Sequence, residues 1–180
     1  MSNFLNNENI NENNFIWENI GDIQQGRINL GDEIPISIYR LMQFTLLDVM
    51  RKRLGEEEAH NFFREAGFVA GIEFSRKMLN LEQEFDKFIS HLQEVLKAFK
   101  IGILRMEKMQ MNTGEIVLTI AEDLDCSGLP ITGDNVCIYD EGFLKGILES
   151  YTGHQYDVKE IDCWANGDRI CRFRGTRLNI

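Results

Sequence analysis

The sequence predicts an α+β fold, with helices in the first hundred residues and an antiparallel sheet completed near the C-terminus. Three observations predict it. Apolar residues recur at helical spacing from Pro35 to Ala98, β-branched runs bounded by turn residues dominate after Phe99, and no internal repeat is present. With 180 residues, 43% of them hydrophobic, the chain suffices for one well-filled core, so residues 15–180 are expected to form a single domain.

The elements follow in order. Residues 1–14 are mostly Asn and Glu with few apolar anchors, the composition of a loosely held or disordered arm. Pro35 opens a helix that Gly55 ends. It carries Ile38, Leu41, Met42, Leu46, Leu47, Val49 and Met50, and so many apolar residues predict a buried helix. A second helix, Glu56 to Leu79, repeats Phe62, Phe63, Ala66, Ala70, Phe74 and Met78. Gly67 and Gly71, four apart, leave one side bare, so another backbone can approach, either within the core or across a dimer interface. A third helix, Leu81 to about Ala98, presents Phe85, Phe88, Ile89, Leu92, Val95 and Leu96 to the core.

Ile101–Glu107 and Glu115–Ala121 read as a hairpin around Asn112-Thr113-Gly114. Asp123–Asn135, with Gly128, Pro130 and Gly133, is a loop. Tyr139–Tyr151 is a fourth helix, again with a glycine pair, Gly142 and Gly146, and closed by Gly153. The last strands, Gln155–Cys163 and Arg169–Gly175, join through Ala165-Asn166-Gly167-Asp168.

Charge excludes one class of function. A net charge of -10 and a pI near 4.8 offer no basic footprint for phosphates, so direct nucleic-acid binding is not expected. No apolar run reaches membrane-spanning length, and the Asn-rich start resembles no signal peptide. The chain is expected in a reducing cytoplasm, where its four cysteines suit metal ligation, reactive thiols or core packing better than disulfides.

The densest chemical signal is Cys137, then Glu160-x-x-Cys163, then Cys171. The Asn166-Gly167-Asp168 turn brings Cys163 and Cys171 side by side. Glu160 and Cys163 differ by three positions, so a bulge near Ile161 or Asp162 is required to converge them. Cys137, just before the fourth helix, adds a corner. Three thiolates and a carboxylate suit a tetrahedral zinc, and with no open position the ion would be structural. Spacing alone is equally compatible with three unrelated buried cysteines. Cys126, in a polar loop without a partner at ligand spacing, and His154, at a helix end, are read as non-ligands; His60 and His91 are surface or core residues.

The run Val136-Cys137-x4-Gly142-Phe143-x2-Gly146-Ile147-Leu148, followed by Thr152-Gly153, Glu160-x-x-Cys163, Gly167-Asp168 and Cys171-x-Phe173, resembles the 4-vinyl reductase domain family. Ser127-Gly128-Leu129-Pro130 and Ala66-Gly67-x3-Gly71 extend the resemblance over roughly residues 30–175. The resemblance implies a fold shared with transport-particle (TRAPP) subunits and haem nitric-oxide sensors, a homodimer, and a structural zinc on Cys137, Glu160, Cys163 and Cys171 beside an apolar ligand pocket. Phenol-sensing members grip the phenol hydroxyl with a histidine and a tryptophan. Ala98 and Leu118 stand at those positions here, so a different ligand is expected.

Candidate pocket residues are Phe99, Leu104, Met106, Ile116, Leu118 and Phe143, which would select a small hydrophobic or aromatic molecule by shape. The expected function is a sensor domain that acts through a separate partner protein and is not an enzyme. Two alternatives are a TRAPP-like scaffold without exchangeable ligand and an accessory protein of tetrapyrrole vinyl reduction. No dinucleotide fingerprint or acid/base pair favours the latter.

Overall fold

The structure is a computed structural model that describes residues 15–110 and 113–178. The Asn-rich arm therefore lies outside the described residues, as does Asn112 of the first hairpin turn. Contacts divide the chain into two units, Met1–Glu33 and Ile34–Ile180. Within the first, a 3-10 turn at Trp17–Ile20 precedes a short helix α1, Ile23–Gly26, whose N-cap Asp22 accepts from the Gln25 N–H at 2.8 Å.

The second unit holds α2 (Ile36–Leu54), α3 (Glu56–Met78), α4 (Phe85–Ala98), β1 (Ile103–Gln110), β2 (Glu115–Ala121), α5 (Ile138–Thr152), β3 (Tyr156–Asp162) and β4 (Cys171–Arg177). Helices precede most of the sheet, as the sequence predicts. The strands form one antiparallel sheet in the order β1-β2-β4-β3. The third helix begins four residues later than expected, because Leu81–Gln83 form a turn and bend.

The glycine pairs explain how α3 and α5 meet. A Cβ built on Gly67 would lie 2.1 Å from the Tyr139 carbonyl oxygen, and one on Gly142 would lie 2.0 Å from that of Arg64. Gly71 and Gly146 make equivalent approaches. The two helices thus touch backbone to backbone inside the molecule, the core-packing reading of those glycines. This approach buries most of α5, from Ile138 through Leu148, between α3 and the sheet.

Paired strand residues share a face. Leu104 and Met106 on β1, Ile116, Leu118 and Ile120 on β2, Cys171 and Phe173 on β4, and Val158 and Glu160 on β3 fall on one face by register. Gly175, on that same face, packs near Leu148 of α5. The opposite face carries Arg105, Lys108, Arg172, Arg174 and Lys159, tied to Glu107, Glu115, Glu141 and Asp162 by ion pairs. Beneath them Val117 and Thr119 are buried, shielded by long basic side chains.

The structure corrects the expectation for α2. Only Gln43 and Leu47 are buried on that helix, whereas Ile38, Leu41, Met42, Leu46 and Val49 are between 47% and 64% exposed. Its inner face is polar, because Tyr39, Arg40 and Gln43 are engaged with the loop after β2. No helix of the described residues is long and apolar enough to cross a membrane.

Candidate metal centre

Four elements deliver four cysteines to one place. Cys137 is the N-cap residue of α5, Cys163 follows the end of β3, and Cys171 begins β4. The register between β3 and β4 shifts between Glu160 and Asp162, the bulge required on geometric grounds. The connection is a short 3-10 turn at Trp164–Asn166 that leaves through Gly167 at φ 102°. Within it the Asp168 N–H donates to the Cys163 carbonyl at 3.1 Å, and Asp168 Oδ2 accepts the Cys163 N–H at 3.2 Å.

The fourth cysteine is Cys126. Asp123 Oδ1 accepts the N–H groups of Asp125 at 2.8 Å and Cys126 at 3.2 Å, a side-chain-directed turn that aims the thiol inward. The Sγ atoms of Cys126, Cys137, Cys163 and Cys171 all lie within 4.8 Å of one another, and all four residues are at most 1% exposed. Cys126 and Cys171 are 3.0 Å apart and Cys137 and Cys171 are 3.8 Å apart. Such a cluster of buried cysteines can hold a metal ion.

The expected set is brought together only in part. Cys137, Cys163 and Cys171 converge, but the carboxylate of Glu160 is not among the four mutually close ligand atoms. Instead Glu160 Oε2 accepts the Cys137 N–H at 3.2 Å, and the Glu160 N–H donates to Glu141 Oε1 at 3.0 Å. Sequence reasoning set Cys126 aside because nothing at ligand spacing surrounds it. The signal for it was the Asp123-x-Asp125-Cys126 turn, whose geometry spacing rules do not encode.

The surroundings suit a cation. Asp123, Asp125, Asp140 and Glu160 are all buried. Burial, followed by the charge of Asp125, raises the Asp123 carboxyl to about 7; burial, followed by the neighbouring Cys163, raises Glu160 to about 9. Burial also raises Asp125 and Asp140. Glu160 Oε1 is buried without a hydrogen-bond partner among the described residues. A positive ion among these thiols and carboxyls would supply the charge that the interior lacks. The donor set also fits zinc chemically. Metal–sulfur bonds of about 2.3 Å set tetrahedral sulfurs roughly 3.8 Å apart, the Cys137–Cys171 separation.

Of the six expected pocket residues, Leu104, Ile116, Leu118 and Phe143 are buried, Met106 is half-buried and Phe99 is 49% exposed. Phe99 and Phe143 both contact Phe74 of α3 edge-on, at 5.8 and 5.2 Å between ring centroids. Phe74 was not singled out from the sequence. A separate, half-open cleft of about 260 Å³ lies between α3, α5 and β3, bordered by Arg64, Phe68, Glu141, Lys145, Val158 and Lys159. None of the six expected residues lines it.

Comparison with known proteins supplies the family. The family model of the 4-vinyl reductase domain matches residues 116–177, the stretch that carries β2, α5, β3, β4 and all four cysteines. Residues 116–177 are a 4-vinyl reductase domain. The matched stretch begins after the first three helices of the second unit, and relatives extend further. Two uncharacterized proteins of Methanocaldococcus jannaschii, MJ0150 and MJ1642, are 26% and 27% identical over 144 residues, 80% of this chain and 76% and 78% of theirs.

Among solved structures, the phenol-responsive sensory domain of the transcription activator PoxR with phenol is similar at a TM-score of 0.62 and 14% identity, covering 82% of this chain and 76% of that one. A trafficking protein particle complex subunit 3 from Naegleria fowleri, covalently bound to palmitic acid, is similar at 0.62 and 14%, covering 80% and 95%. An H-NOX protein from S. oneidensis is similar at 0.53 and 11%, covering 82% and 78%. The fold around the 4-vinyl reductase domain is therefore the one shared by TRAPP subunits and H-NOX proteins, as the resemblance implied.

Proposed function

We propose that this protein is a sensor domain for a small hydrophobic or aromatic molecule, stapled by one structural zinc ion and acting as a homodimer on a separate partner protein. The observation that carries this reading is the closed cluster of four buried cysteines within a 4-vinyl reductase domain. An ion held by four protein ligands keeps no position for water, so its role is structural and the domain is not an enzyme. By fixing the loop after β2, the start of α5 and the β3–β4 turn together, it sets the shape of the apolar region next to it.

The ligand class follows from the apolar side chains packed on the sheet face toward α5. Leu104, Met106, Ile116 and Leu118 share that face, and Phe143 faces them from the helix side through Phe74. Two proteins of the same fold carry phenol and palmitic acid, which supports an apolar ligand selected by shape. Ala98 and Leu118, at positions where phenol sensors place a histidine and a tryptophan, argue against phenol.

The dimer reading is supported by α2. Its exposed stripe is nearly symmetric about the point between Gln43 and Phe44. Ile38 mirrors Val49, Leu41 mirrors Leu46, and Met42 mirrors Thr45. Two copies crossing antiparallel on a two-fold axis would match apolar residues with each other.

Metal analysis by mass spectrometry, paired with denaturing extraction of bound small molecules, tests the reading. One zinc per chain and an extractable apolar compound are expected. A stable, folded, metal-free monomer would contradict it, and zinc without any exchangeable compound would favour a scaffold.

A further inference from the structure

The structure offers two donors for the fourth corner of the metal centre, and they are not equivalent. We propose that Cys126 is the fourth ligand, and that Glu160 is a positioning residue that holds Cys137 in place through its backbone. This inference rests on the metal-centre reading above and specifies the ligand set.

Geometry separates the two groups. Cys126 Sγ lies within 4.8 Å of the other three sulfurs, and spreading the 3.0 Å Cys126–Cys171 contact by under an ångström gives the tetrahedral edge. The Glu160 carboxylate is already engaged, because Oε2 accepts the Cys137 N–H and so orients the residue that carries a ligand. Glu141 in turn accepts the Glu160 N–H and pairs with Arg64 at 2.5 Å, which fixes the strand segment that bears Glu160. Chemistry agrees, since a thiophilic ion offered a fourth buried thiolate gains a softer ligand than a carboxylate.

Ligation at Cys126 has a mechanical consequence that ligation at Glu160 lacks. The Cys126 turn is gripped by α2: Arg40 donates to the carbonyls of Leu124 at 2.8 Å and Ser127 at 3.0 Å, and Asp125 accepts from Tyr39 Oη at 2.8 Å and Gln43 Nε2 at 2.7 Å. A four-cysteine centre therefore ties α2 to α5 and the sheet through one ion. The helix with the exposed apolar stripe is then anchored to the metal.

X-ray absorption at the metal edge of the wild-type protein tests the assignment without relying on any variant to fold. A shell of four sulfurs is expected. Three sulfurs and one oxygen would overturn the proposal while leaving the metal-centre reading intact, and a protein that binds no metal would overturn that reading itself. In variants, Cys126→Ser should lose one sulfur from the shell and speed amide exchange in α2; an unchanged shell would overturn the proposal. Glu160→Ala should keep four sulfurs but lower metal affinity about 10- to 100-fold, and Glu160→Gln, whose amide oxygen still accepts from Cys137, should restore most of it. Loss of a ligand from the shell in Glu160→Gln would overturn the positioning role.

Discussion

Arg40 and Leu124 are 84 positions apart in sequence, yet the guanidinium Nε of Arg40 donates to the Leu124 carbonyl at 2.8 Å. The same side chain reaches the carbonyls of Ser127 and Asp123 from Nη2. One fork therefore satisfies a turn whose backbone has no sheet or helix partner there. Arg40→Ala should cost about 3 kcal/mol by leaving part-buried carbonyls unsatisfied. Arg40→Lys should rescue little, because an ammonium lacks the planar fork. Urea unfolding gives the stability, and the rate of zinc transfer to a chelator, expected to rise, reports the loosened Cys126 turn.

The α3–α5 crossing is intolerant of a single methyl group. In Gly142→Ala the new Cβ would sit 2.0 Å from the Arg64 carbonyl oxygen, and neither backbone can yield within a helix. A loss of about 3 kcal/mol or more is expected. Gly26→Ala, where nothing lies within 4 Å, serves as the control and should be neutral or slightly stabilising. Thermal unfolding of the two variants separates them.

Removing the ion with a strong chelator should lower the melting temperature by roughly 10 °C at a zinc excess of about a thousand times Kd, and added zinc should restore it. Calorimetry with and without chelator measures this. The effect is expected because the cluster links the loop after β2, α5, β3 and β4.

The exposed face of α2 gives an assembly prediction. Leu41→Glu combined with Leu46→Glu should convert a dimer to a monomer with unchanged helix content, since both side chains are more than half exposed in the single chain. Sedimentation velocity and circular dichroism read the two quantities.

His60 supplies a pH prediction away from the metal. Its Nε2 lies 2.8 Å from Arg51 Nη2 and 3.0 Å from Glu56 Oε1. Burial, followed by the charge of Arg51, lowers its pKa below the ordinary 6.5, while Glu56 pulls the other way. The unfolded chain therefore takes up this proton first. The stabilising contribution is fully present above pH 6.5 and is lost as pH falls toward the folded value. Arg51→Met should raise the His60 pKa and Glu56→Gln should lower it further, as an NMR titration of the imidazole would show.

Much of this molecule was legible in its residues. Pro35 and Gly55 bracket α2, the glycine pairs in α3 and α5 announced a backbone contact, and the three-residue offset of Glu160 and Cys163 demanded the bulge found between Glu160 and Asp162. These features are local, or follow from spacing along one or two elements, and periodicity encodes them directly. Three of the four clustered cysteines were found in the same way.

Tertiary structure decided the rest. Whether the apolar residues of α2 face inward depended on what its other face meets, and Tyr39, Arg40 and Gln43 are committed to a loop more than 80 positions away. Cys126 joined the cluster because Asp123 bends its own turn around two backbone N–H groups. Side-chain hydrogen bonds to a distant backbone leave no period in a sequence, so both outcomes became visible only once the chain had folded.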